Sequence, residues 1–177
     1  MSTEVILIAG RSGVGKSTTA YEVSRQLAAS HVRHALIEGD NLDQAYPAPW
    51  RQGIPLAERN LAAMWRNYQE LGYSKLIYTN TVSVLEIATL SAALGGEVTA
   101  VSILLTSSDE TTRDRLAARE IGSGLEDHIR RSHIAARRLD EEASAQVYRM
   151  STDARSIPSI ASEILVLAGW GDPTAVT

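Results

Sequence analysis

Residues 10–18 read Gly10-Arg11-Ser12-Gly13-Val14-Gly15-Lys16-Ser17-Thr18. They satisfy G-x-x-x-x-G-K-[ST] at every fixed position. The run before them, Glu4 to Ala9, is short, apolar and rich in β-branched residues, which predicts a strand buried on both faces. The stretch after them, from about Gly15 to Ala29, has helical periodicity. Strand, glycine-rich turn and helix are the context in which this motif cradles phosphate. Glycines let successive N–H groups turn inward, and the helix brings the positive end of its dipole to the same point. Lys16 is then placed to reach β- and γ-phosphates, and the Ser17 hydroxyl to ligate Mg²⁺.

The same alternation continues along the chain. Strands are expected at His34–Glu38, Ser74–Thr79, Val98–Leu105 and Gln146–Met150. Helices are expected at Pro55–Leu71, Val82–Leu94, from a Ser108 cap to Arg119, at Leu125–Ala145 and at Ser156–Ala168. Val82–Leu94 is apolar nearly all round and should be well buried. Tyr46 to Trp50 reads as a loop by its prolines. Five strands alternating with helices imply an α/β fold, a five-stranded parallel sheet flanked by helices. Ligands of such sheets bind beyond the carboxyl ends of the strands. No repeat or linker divides residues 1–177, so one domain is expected.

Composition narrows the classes further. The chain has 177 residues and a formal charge of −4, which argues against general nucleic-acid binding. It contains no cysteine, so thiol catalysis, disulfide scaffolds and iron–sulfur chemistry are excluded. No apolar run approaches the ~20 residues of a membrane span. A soluble cytoplasmic protein with no membrane partner, a monomer or homodimer, is expected. Only two lysines occur, Lys16 and Lys75. The histidines show no metal-ligand spacing.

With this motif in this context, the chain resembles the P-loop kinases of the nucleoside-monophosphate-kinase-like group. Within it, the chain is similar to gluconate, adenylylsulfate and shikimate kinases and to small antibiotic phosphotransferases. The resemblance implies the P-loop NTPase fold with a helical lid, ATP and Mg²⁺ as cofactors, and a small-molecule hydroxyl as acceptor. Residues 10–18 would form the ATP site. Gluconate and adenylylsulfate kinases carry a Gly-Asp pair after strand two, as Gly39-Asp40-Asn41 does here. Asp40 would then take the acceptor's proton or orient Mg²⁺ through water. The plain alternative is a turn with Asp40 or Asn41 as a cap. Glu38 shares the strand face of Asp40, but deeper.

Strand three ends Ile77-Tyr78-Thr79-Asn80-Thr81, without the acid that motor-type ATPases place there. Asn80 could meet the acceptor or merely cap the next helix. Residues 40–71 occupy the acceptor region of the resembling kinases, with Asn41, Arg51, Arg59 and Arg66 as candidate contacts. Trp65 and Tyr68 fall at core spacing. Residues 113–138 hold seven arginines and four acids around Gly122-Ser123-Gly124 and make a candidate lid. The resemblance places lid arginines over the ATP phosphates, and Arg119, nearest the break, is the first choice, with Arg115 one turn before it. The solvated alternative pairs Glu126 with Arg130 and Asp127 with Arg131. Segment Ser151–Ser156 would contact adenine, with Thr152 and Arg155 as candidates. The competing class is an ATP-hydrolysing or nucleotide-switched binding protein without an acceptor.

Overall fold

A computed structural model describes residues 2–118 and 124–171. Five parallel strands form one sheet: β1 (Ser2–Ala9), β2 (Ala35–Glu38), β3 (Lys75–Thr79), β4 (Glu97–Thr106) and β5 (Tyr148–Ser151), in the order β2-β3-β1-β4-β5. The chain runs outward from β1 to β2 and returns through β3. It then crosses β1 to add β4 and β5. The topological switch point thus lies beside β1. There Ile8 is in register with Thr79 on one side and Ile103 on the other.

The two faces of β1 follow its period of two. Ile6 and Ile8 pack with Ala20, Val23 and Leu27 of α1 (Lys16–Ala29) and with Ile160 and Ile164 of α6 (Ile157–Leu167). Val5 and Leu7 face the other layer, with Leu61 and Trp65 of α2 (Leu56–Glu70) and Leu90 and Leu94 of α3 (Ile87–Leu94). A third cluster joins Ala9, Val84 and Leu104 to Leu139 of α5 (Leu125–Glu142). The last helix, α4, spans Asp109–Ala117 and is capped by Ser108, whose side chain accepts from Thr111 N. No helix among the described residues is long and apolar enough to cross a membrane.

The expected strands are all present, with ends moved by one or two residues. The helix expected over Val82–Leu94 is different. Asn80 Oδ1 accepts from Val82 N at 2.8 Å and folds Ser83–Leu85 into a 3₁₀ turn, so α3 begins only at Ile87. Within α3 only Leu90 and Leu94 are buried. Ala88, Thr89 and Ala92 are small and meet solvent. High mean apolarity here reflects small residues, not burial on every side. Pro49–Gln52 forms a 3₁₀ turn where a loop is expected.

Trp65 belongs to the core as its spacing predicts. It is fully buried, and its Nε1 donates to Thr3 Oγ1 at 3.0 Å. Trp65→Ala is expected to lower stability by about 3–5 kcal/mol, and Trp65→Phe by only ~1 kcal/mol, in denaturant unfolding. Ala154 lies at φ 53°, in the left-handed region. Ala154→Gly relieves that strain at some entropic cost and should stabilise the protein by about 0.5–1 kcal/mol, a rise of ~1–4 °C in melting temperature.

Candidate active site

The loop between β1 and α1 sits at the carboxyl edge of the sheet. Gly10, Gly13 and Gly15 have φ of 146°, 84° and 106°. At Gly10 a side chain is also barred sterically, since a Cβ would stand 2.7 Å from the Leu105 carbonyl oxygen. Helix α1 starts with no side-chain cap and no acid in its first turn. Its first N–H groups are thus left for an external anion.

The loop's carbonyls are held from outside. Val14 O accepts from Arg115 Nη1 at 3.0 Å and from Thr152 Oγ1 at 3.2 Å. Ser12 O accepts from Ser132 Oγ of α5 at 2.9 Å, and Arg11 O from Lys16 Nζ at 3.4 Å. The Arg11 side chain is buried and ion-paired with Asp109 at the start of α4, so it braces the loop rather than lining it. That guanidinium holds the Asp109 carboxyl below the usual aspartate range. His133 Nδ1 also approaches Asp109, at 3.2 Å.

Several expected nucleotide contacts are thus used within the protein. Arg115 also donates to Thr152 Oγ1 at 3.0 Å, so it locks α4 to the loop and to the segment after β5. Arg155 is ion-paired with Glu163 of α6. Ser17 and Thr18 are exposed on the first turn of α1. Arg119 and Gly122 lie outside the described residues. In α5 Asp127 pairs with Arg130 at 2.9 Å, not with Arg131, which donates to the Asp127 carbonyl at 3.3 Å. Glu126 reaches across to Arg113 at 3.8 Å instead of pairing along its own helix. Lys75 pairs with Glu4 at 2.7 Å, at the amino end of its strand and away from this edge.

Residues Gly39–Asn41 form a single 3₁₀ turn, so the turn alternative is right about local structure. The turn nevertheless leaves Asp40 exposed at the carboxyl edge. Glu38, one residue before the turn, has Oε1 buried without a hydrogen-bond partner. Gly39 is required by packing: a Cβ there would collide with the Tyr78 hydroxyl. Asn60 Nδ2 ties α2 to this turn through Leu42 O at 2.6 Å.

Beside the turn opens a cleft of ≈ 700 Å³ between α2, α3 and the carboxyl end of β3. Tyr78, Asn80, Trp50, Asp43, Glu58 and Glu86 are among the residues lining it, with Arg138 of α5. The arginines expected there are elsewhere. Arg51 stacks on the Trp50 ring at 5.0 Å, and Arg59 points to solvent from α2. Arg66 lines a separate hollow with Gln69 and Glu70. Asn41 is exposed at the turn. Asn80 does line the cleft while bonding Val82 N. The acids Asp43, Glu58 and Glu86 escaped the sequence reading. They come from three separate segments, and no motif spacing links them. Burial and the charges of Glu86 and Asp40 push the Tyr78 hydroxyl well above its ordinary pKa. Desolvation and the neighbouring Glu58 likewise raise that of Glu86.

The adenylylsulphate kinase family model matches residues 2–49, the segment from β1 through the Asp40 turn. No curated protein matches the chain. Among solved structures, a gluconokinase from Sinorhizobium meliloti 1021 is 18% identical with a TM-score of 0.60, covering 94% of this chain and 91% of that one. A tunicamycin resistance protein from Deinococcus radiodurans is 20% identical with a TM-score of 0.60, covering 97% and 99%. The Mycobacterium tuberculosis APS kinase, solved with AMPPNP and APS, is 19% identical with a TM-score of 0.55, covering 94% and 98%. In sheet order, phosphate loop and nearly full-length superposition, the chain has the fold of the P-loop kinase group.

Proposed function

We propose that this protein is an ATP-dependent phosphotransferase that moves the γ-phosphoryl of MgATP to a hydroxyl of a small molecule. One observation carries the reading. The loop of residues 10–18, with its carbonyls held outward, shares an edge of the sheet with Asp40 and a substrate-sized cleft. A triphosphate bound by the loop would extend its terminal phosphate toward that cleft.

In this reading the N–H groups of the loop and Lys16 would neutralise the β- and γ-phosphates, and Ser17 would hold the Mg²⁺ that arrives with ATP. The acceptor oxygen forms a bond to Pγ as the bond from Pγ to the β–γ bridging oxygen breaks, and ADP leaves. The acceptor proton passes to Asp40. An aspartate suffices, because phosphoryl transfer depends mainly on positioning and charge neutralisation. Glu38, with an unpartnered buried oxygen, is the second carboxylate at hand and suits a water of the Mg²⁺ shell. Thr152, already bonded to Val14 O, links the phosphate loop to the segment proposed to face adenine.

Phosphate transfer from MgATP to a panel of hydroxylated compounds tests the proposal. Transfer to an acceptor is expected, with slow hydrolysis in its absence. Equal hydrolysis with and without every acceptor would favour a nucleotide switch. Lys16→Ala should lower transfer by about 10²–10³-fold. Asp40→Asn should lower kcat by about 10²–10⁴-fold with ATP affinity kept; unchanged kcat would remove Asp40 from proton transfer.

A further inference from the structure

We infer that the acceptor cleft selects an alcohol carrying a protonated amine, held by Asp43, Glu58 and Glu86 above the hydroxyl of Tyr78, and rejects carboxylated or sulfated acceptors. The inference rests on the phosphotransferase reading for the word acceptor, but the charge preference itself does not require transfer.

Three carboxylates line the cleft against one guanidinium, that of Arg138. Arg138 is already engaged with Glu142 at 3.1 Å. Asp43 and Glu58 are half-buried, so their charges are incompletely screened by solvent. Asp40, exposed on the neighbouring turn, adds a further negative charge that is felt at Tyr78. Burial, then the like charges of Glu58 and Asp43, raise the pKa of Glu86 despite the opposing charge of Arg138, so a further cation beside these carboxylates is favoured. An anion placed there would meet uncompensated like charges, each costing affinity in a partly enclosed site.

A second observation points to a ligand independently of the charges. Tyr78 is only 3% exposed, lines the cleft, and has no hydrogen-bond partner among the described residues. Gly39 leaves room for its hydroxyl, since any Cβ there would collide with it. With its pKa raised, that hydroxyl stays protonated at neutral pH and is available to donate to an acceptor oxygen. The rest of the lining includes apolar surface from Ile54, Pro55, Ala57, Leu90 and Trp50, on the same segments as the acids. A carbon skeleton bearing hydroxyls and one cationic end matches this distribution. Of the three arginines that would have served an anionic acceptor, none is among the residues lining the cleft: Arg51 stacks on the Trp50 ring beside it, Arg59 is exposed on α2, and Arg66 lines a separate hollow.

The test uses one skeleton in three charge states: glucosamine, N-acetylglucosamine and glucuronate. Each is titrated into the full protein with a non-hydrolysable MgATP analogue present. Binding is read from NMR shifts of Asp43, Glu58 and Tyr78 amides. Glucosamine is expected to bind roughly tenfold more tightly than the acetylated form, and glucuronate not at all. The preference should fall about fivefold or more in Glu58→Gln/Glu86→Gln, whose folding is checked by its melting temperature. Glucuronate binding as well as glucosamine, or a preference untouched by the double substitution, would overturn the inference. So would cleft amides that glucosamine shifts no more than the acetylated sugar does. Transfer to each sugar is measured separately, so loss of the phosphotransferase reading leaves the order of binding legible. Transfer to glucuronate but not to glucosamine would keep the phosphotransferase and overturn the charge preference.

Discussion

Every functional feature of this chain depends on which way the peptide groups between Gly10 and Gly15 are turned. A peptide unit cannot present its N–H inward without pointing its carbonyl outward, and a buried carbonyl left unpaired is costly. Here the outward carbonyls have side-chain donors. Arg115 and Thr152 share Val14 O, and Ser132 takes Ser12 O. Arg11 O instead accepts within the loop, from Val14 N at 3.3 Å and Lys16 Nζ at 3.4 Å. The outside donors come from α4, the segment after β5 and α5. Three parts of the chain thus converge on one loop, and the loop in turn fixes their relative positions. The arginines of α4 take on a structural role in this arrangement. Arg115 is engaged within the protein, where its fork can satisfy a carbonyl and a threonine hydroxyl together.

The second constraint couples the two edges of the cleft. Tyr78 belongs to β3 and Gly39 to the turn after β2, and the strands are paired in parallel with Ile37 opposite Tyr78. The phenol packs so close to Gly39 that the turn has no room for a side chain. The position of Asp40 is therefore set by an aromatic ring on the neighbouring strand as well as by its own local sequence. Asn60 closes the arrangement from α2 through Leu42 O. Since Trp65 on the same helix is anchored to Thr3 of β1, the cleft wall is built directly on the core.

These two constraints separate what the sequence could disclose from what it could not. The strand before the loop, the loop itself and the helix after it are local, and each residue type has one strong local reason to be there. Their reading carried the fold. The Gly39-Asp40 turn was equally legible, although its glycine is demanded by Tyr78, a contact across 39 positions that no local rule exposes. Side-chain destinations were less legible. Arg51, Arg59 and Arg66 share a segment with the cleft, yet none is among its lining residues: Arg51 stacks on Trp50 beside it, Arg59 is exposed on α2, and Arg66 lines a separate hollow. Arg155 finds Glu163 one helix later. Asn80 caps neither of the helices that follow it; its Oδ1 instead accepts from Val82 N in a local turn, after which α3 starts later than apolar periodicity suggests.

The acids of the cleft carry the same lesson to its functional end. Asp43 comes just after the turn that ends β2, Glu58 lies in the first turn of α2, and Glu86 immediately precedes α3. They meet only because the chain runs out to β2 and back through β3 before crossing β1. The phosphate loop is built from backbone geometry, and its glycines adopt conformations that side chains rarely take. The cleft is lined by single side chains on separate segments, and changing any one alters its charge without disturbing the sheet. A fold of this kind therefore fixes the phosphoryl donor through its backbone and leaves the choice of acceptor to a few side chains. Likeness of fold to a kinase solved with AMPPNP and APS consequently says little about what this cleft holds. Its own carboxylates are the better guide.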